Sequence, residues 1–233
     1  MGAILKRELN SYFHGAIGYI VLAVFFFFSG TSFAIQIAQK SSDLGYVFTD
    51  MFVIILLLIP IITMKSFAEE KRQRTDQALF TSPLSLFEIV AGKFIGAFIL
   101  YAFCVAIFVV YGLIISIFNE PNWIVILSTT LGLLLFGASL IAINILISAL
   151  TESQIISAIT GVAAGFFITK IDDFAQITNS DWLSKFLYSI SFNENLAPFR
   201  YGIINFPSIL FFLSVVVIFT FLTIRVFEKK RWA

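Results

Sequence analysis

Residues 65–88 read KSFAEEKRQRTDQALFTSPLSLFE. Lys65, Glu69, Glu70, Lys71, Arg72, Arg74 and Asp76 crowd the first half, Ala78-Leu79-Phe80 follows, and Thr81-Ser82-Pro83 breaks the run. On a helix, Phe67, Lys71, Arg74 and Ala78 share one face, while Glu69, Arg72, Asp76, Leu79 and Phe80 lie around the other side. Two readings stand. The run is a solvated charged loop, or it is a short helix across a membrane surface whose apolar residues enter a partner's groove ringed by charge.

Elsewhere the chain lacks reactive groups. The single Cys104 excludes an intrachain disulfide and a multi-thiolate metal site, and the single His14 excludes a histidine cluster. No core of an apolar segment carries Asp, Glu, Lys, Arg or His. A charge at mid-membrane costs about 3 kcal/mol or more, so a chain that keeps one there commonly uses it for ion or proton coupling. This argues against a proton-driven secondary transporter and against intramembrane metallo- or aspartyl proteases. Gly92-Lys93 lacks both the upstream glycine and the following Ser or Thr of a nucleotide-binding P-loop. The side-chain amide deep in a segment, Asn144, reads as a helix–helix hydrogen bond rather than a ligand. Gly161-Val-Ala-Ala-Gly165 and Gly92-Lys-Phe-Ile-Gly96 are spaced for close helix packing, within one subunit or between two.

The elements that must position these residues are membrane helices. The 233 residues are 59% hydrophobic and 12% charged, with mean hydropathy +0.97; soluble domains carry about 25% charged residues. The expectation is an all-α integral membrane protein, one transmembrane domain over 1–233, with six spans. These lie near 16–37, 47–64, 86–118, 123–150, 152–171 and 207–226. Residues 1–15 read as an amphipathic interfacial helix with Leu5, Leu9, Tyr12 and Phe13 on one face and Lys6, Arg7, Glu8 and Asn10 elsewhere. A cleaved signal peptide is the rival reading for this end, but the apolar stretch is long and lacks a clear cleavage site. Pro60 is expected to kink the second span. Ser85 and Glu88 form a capping box, with Leu84 and Ile89 as a hydrophobic staple; Thr151 and Gln154 form a second box opening the fifth span. Asn119-Glu120-Pro121-Asn122 is a turn, and 172–204 should form one or two short helices on the outer face.

Eleven of the 15 Lys and Arg residues fall on one side of this scheme. They are Lys6, Arg7, Lys65, Lys71, Arg72, Arg74, Lys93, Arg225, Lys229, Lys230 and Arg231. Basic short loops stay in the cytoplasm, so both termini and the loop that holds 65–85 and runs on to Lys93 are expected to face inward.

Several runs together resemble the ABC-2 type transporter permeases: Ala68-Glu69-Glu70-Lys71-Arg72-Gln73, Thr75-Asp76, Thr81-Ser82-Pro83-Leu84-Ser85 and Glu88-Ile89-Val90-x-Gly92-Lys93. Lys6-Arg7-Glu8-Leu9-x-Ser11-Tyr12-Phe13 resembles the family's N-terminal interfacial helix. Gly18-Tyr19 and Leu150-Thr151-Glu152-Ser153-Gln154-Ile155 are similar to the branch containing the permease of the bacterial gliding-motility transporter. The resemblance implies a multi-pass permease of a bacterial cytoplasmic membrane, an exporter subunit without catalytic residues, metal or cofactor of its own. Two copies would form the path. ATP and Mg would be handled by a separate ATPase subunit, and an outward-facing auxiliary protein is a further implied partner. No nucleic acid is implied. The implied ATPase-contacting residues are Glu69, Glu70, Arg72, Thr75, Asp76, Leu79, Phe80 and Pro83 on a coupling helix, with Glu152 as a second contact. Gly161, Gly165 and Asn144 would pack helices. The family commonly has Gly-Thr-x-Glu where this chain has Arg74-Thr75-Asp76-Gln77, so a charge pairing at 77 is in doubt. A membrane anchor or force-transmitting scaffold without a translocated substrate is the alternative function.

Overall fold

A computed structural model describes residues 2–39, 44–74, 85–177 and 181–232. The described residues are helical, with short turns between. In chain order the helices are α1 (Gly2–His14), α2 (Ala16–Ala38), α3 (Gly45–Thr63), α4 (Ala68–Arg72), α5 (Leu86–Val105), α6 (Ile107–Phe118), α7 (Trp123–Leu150), α8 (Gln154–Thr169), α9 (Ile171–Ile177), α10 (Asp181–Ile190), α11 (Phe192–Arg200) and α12 (Phe206–Trp232).

Among the described residues, five helical stretches are long and apolar enough to cross a membrane, and a sixth exists if α8 and α9, bent by 41°, count as one span. The chain is therefore a multi-pass membrane protein. α7 stands at the centre. It packs against α3, α5, α8, α11 and α12, and about 72% of its most apolar window is buried. A helix apolar all round is stable only where every face is covered by protein or lipid. By contrast, α12 buries about 11% of its window and presents most of its surface outward. Phenylalanines fill the seams. Phe48 meets Phe108 with ring centroids 4.6 Å apart, Phe52 stacks on Phe136 at 4.8 Å, and Phe33 stacks on Tyr111 at 4.1 Å.

Helix ends follow the chain's polar punctuation. Ser85 Oγ accepts from Glu88 N at 3.2 Å and Glu88 Oε2 accepts from Ser85 N at 3.1 Å, completing the expected capping box at the start of α5. Leu84, the other half of the expected staple, lies outside the described residues. Asn122 caps α7 by accepting from Val125 N at 3.3 Å. α3 continues through Pro60 to Thr63.

Two expectations are corrected. The second capping box does not form: Thr151 Oγ1 donates back to Ile147 O at 3.2 Å, closing α7, and Ser153 caps α8 instead. Because α8 begins at Gln154, Ser153 occupies its N-cap position and Thr151 lies two residues too early to serve it. The expected third span stands as one stretch, Leu86–Phe118, with a one-residue interruption at Ala106 between α5 and α6. The 172–204 stretch holds α9, α10 and α11, and α11 packs back on α7.

Candidate functional site

One end of the bundle gathers α1, α4, the first turns of α5, the α7–α8 turn and the last turns of α12. α1 is seated by glycine. A Cβ at Gly92 would lie 2.9 Å from Ile4 Cγ2, and one at Gly96 would lie 2.9 Å from Glu8 Cβ. The Gly92-x-x-x-Gly96 spacing thus makes a groove for α1, because two helical glycines four apart share a face. The face of α1 that enters is Ile4, Glu8 and Tyr12. This corrects the amphipathic reading, which placed Glu8 away from the buried face.

Glu8 is buried because Lys93 waits for it. Lys93 lies one residue past Gly92 and its side chain is about 1% exposed. Its Nζ donates to Glu8 Oε1 at 2.9 Å, to Glu70 Oε1 at 2.9 Å and to the Ser66 carbonyl. The ammonium also sits 4.8 Å from the Phe67 ring centroid. Arg7 Nη2 donates to the same Glu70 Oε1 at 2.6 Å. A buried ammonium is tolerated only when paired and fully hydrogen-bonded, and three elements, α1, α4 and α5, supply those partners. Tyr12 OH adds a bond to Ile62 O at 3.1 Å. Burial, then the Glu8 charge, push its phenol well above the ordinary range, so it remains a donor.

The turn into α4 is fixed from α7. Ser148 Oγ accepts from Phe67 N and Ala68 N, both at 3.1 Å, and donates to Met64 O at 3.3 Å. It therefore satisfies amides at the start of α4 that the helix itself cannot. Lys71 Nζ donates to Ala149 O at the end of α7, where a cation complements the exposed carbonyls. Phe67 meets Phe227 of α12 with centroids 4.5 Å apart. A cleft of about 460 Å³ opens between α1 and this segment, lined by Arg7, Lys65, Ser66, Glu69 and Gln73 among others.

α4 has two faces. Glu70 is turned inward onto Lys93 and Arg7, with 16% of its side chain exposed. Glu69 is 30% exposed and pairs loosely with Lys65 at 3.9 Å. Arg72, Gln73, Arg74 and, across the α7–α8 turn, Glu152 are exposed. Arg74 adopts φ 55°, the left-handed conformation that ends a helix and that glycine adopts most readily. Arginine therefore stands in a glycine-like backbone. Thr75, Asp76, Leu79, Phe80 and Pro83 lie outside the described residues.

The packing residues meet one another inside one chain. A Cβ at Gly161 would overlap Asn144 Oδ1 and lie 3.1 Å from Pro60 Cβ, and one at Gly165 would lie 3.1 Å from Leu56 Cδ2. The α8 glycine pair is thus a seat for α3 and α7. The interhelical hydrogen bond expected of Asn144 is not made among the described residues. Its Nδ2 donates to Leu140 O of its own helix at 2.8 Å, and Oδ1 is buried against the Gly161 backbone without a hydrogen-bond partner.

Sequence reasoning missed Ser148 and misplaced Lys93 and Glu8. Lys93 was counted as a loop charge. The available signal was Gly92-Lys93 inside a G-x-x-x-G: a lysine beside a helix seat must be covered by whatever sits there.

Residues 36–225 match the family described as ABC-2 family transporter protein, and the chain belongs to that family. It is a membrane transporter permease component. No curated protein matches it closely enough to add a relative.

Proposed function

We propose that this chain is the permease subunit of an ATP-driven exporter in a bacterial cytoplasmic membrane, and that its charged end faces the cytoplasm and receives a separate ATPase. Two copies form the transport path, and ATP with Mg binds in the partner. The observation that carries the reading is the two-faced α4: Glu70 and Lys71 tie it to α1, α5 and α7, while Glu69, Arg72 and, nearby, Glu152 remain available outward. An ATPase pressing on the outer face would move α5 through Glu70–Lys93 and α1 through Lys93–Glu8. Such coupling requires that the ATPase bind one arrangement better than the other. Thr75, Asp76, Leu79, Phe80 and Pro83 complete the proposed contact. The likeness to the gliding-motility branch, with an outward-facing auxiliary protein, rests on Gly18-Tyr19 and the Leu150–Ile155 run.

The test is co-purification with a co-expressed ABC ATPase and measurement of its stimulated hydrolysis. Reversing the charge of Glu69 and Arg72 should abolish stimulation at normal membrane levels. Unchanged stimulation in that double variant sinks the assignment.

A further inference from the structure

The end of the bundle away from the ion-pair network holds a second cleft, about 520 Å³, between the first turns of α3 and α7 and the end of α11. Phe48 and Thr49 come from α3, Val125 from α7, and Arg200 and Tyr201 from the end of α11. The volume is that of a small-molecule site. Its position at the start of two spanning helices places it at a membrane–water boundary, where exposed tyrosines such as Tyr46 and Tyr201 are favoured.

Arg200 is the feature that selects a ligand. Among the described residues no carboxylate pairs with it; its guanidinium lies 5.8 Å from the Phe52 ring centroid. Its place is fixed by its neighbours. Phe199 is fully buried on Gly132, where a Cβ would lie 2.8 Å from Phe199 Cβ. Thr129 Oγ1 donates to Phe199 O at 3.0 Å, and Gly202, at φ 80°, turns the chain away. Among the described residues, the fold thus holds a guanidinium without a paired acid in a cleft walled on one side by Phe48 and Val125. A planar guanidinium binds phosphate through two parallel N–H donors, and the apolar wall of Phe48 and Val125 suits the carbons beside such a headgroup.

We propose that this cleft binds a phosphate-bearing amphiphile, with Arg200 on the phosphate and Phe48 and Val125 against the start of the tail. The probe is phosphatidylglycerol added to the detergent-solubilised full chain and read by native mass spectrometry. Arg200→Gln should weaken binding about tenfold, the loss expected for a hydrogen bond between charged groups, and Arg200→Lys should retain part of it. Thr49→Trp, at an exposed position, fills the cleft while leaving the arginine, and should weaken binding to a similar degree. Diacylglycerol, which has the tails without phosphate, should not distinguish wild type from Arg200→Gln. Inorganic phosphate should bind far more weakly than the lipid. Equal phosphatidylglycerol binding by wild type and both the Arg200→Gln and Thr49→Trp variants overturns the site. Inorganic phosphate binding as tightly as the lipid overturns the amphiphile assignment in favour of a free-anion site.

Discussion

Replacing Lys93 by methionine removes one charge from a network in which two acids depend on it. The Lys93 ammonium lies 2.9 Å from both Glu8 Oε1 and Glu70 Oε1, and its side chain is about 1% exposed. Breaking a buried pair by deleting one partner costs about 3–5 kcal/mol, because the other charge is left without compensation. Glu70 retains Arg7 at 2.6 Å, and Arg7 is only 3.5 Å from Glu8, so the loss belongs at the lower end, about 3 kcal/mol. The assay is the unfolding free energy of the purified permease in mixed micelles. Glu8→Gln in the Lys93→Met background should lose much less than in wild type, giving an interaction energy of about 1–3 kcal/mol for residues in direct contact. The same variant should release α1, read as faster hydrogen exchange over residues 4–12. A Lys93→Met protein within about 0.5 kcal/mol of wild type, the range of an ordinary surface substitution, would refute the reasoning.

Other perturbations reach the same machinery. Ser148→Ala strips the acceptor from Phe67 N and Ala68 N; it should cost about 1–3 kcal/mol and accelerate exchange at those two amides, and unchanged exchange contradicts the pinning role. Gly161→Ala drives a methyl into Asn144 Oδ1 and should destabilise by about 1–3 kcal/mol, with Asn144→Ala restoring most of it; no rescue means the clash is not the cause. Arg74→Gly relieves a left-handed residue and should raise stability by about 1 kcal/mol, seen as a higher denaturant midpoint, whereas a lower midpoint would show that the arginine side chain holds the turn. Ser85→Ala removes the α5 cap and should lower unfolding free energy by about 1 kcal/mol, against no change if the helix end frays regardless.

The spans were legible because apolar runs longer than a bilayer crossing have few alternatives. α2, α7 and the Leu86–Phe118 stretch stand within a residue or so of the expected bounds. The Ser85–Glu88 box was legible because both partners lie within one turn. Thr151 was misread because a hydroxyl between two helices can serve either, and only the backbone path decides which. Lys93 and Glu8 are 85 residues apart, and neither shows locally that it has a partner. Glu70 looked like a docking charge for the same reason; its carboxylate is largely enclosed by Lys93 and Arg7. Ser148 was invisible because a serine in an apolar helix ordinarily bonds its own backbone, whereas this one serves the turn before α4.

The proposed coupling rests on the outer face of α4 meeting the ATPase, and site-specific cross-linking tests that most directly. The native cysteine, Cys104, is buried, so a cysteine at Arg72 is the reactive one. In membranes containing the ATPase, an Arg72→Cys permease should cross-link to it with a yield that changes with nucleotide, and a Tyr201→Cys control should not. Absence of cross-linking at 72, or labelling of that cysteine only from the exterior of intact cells, would contradict the account.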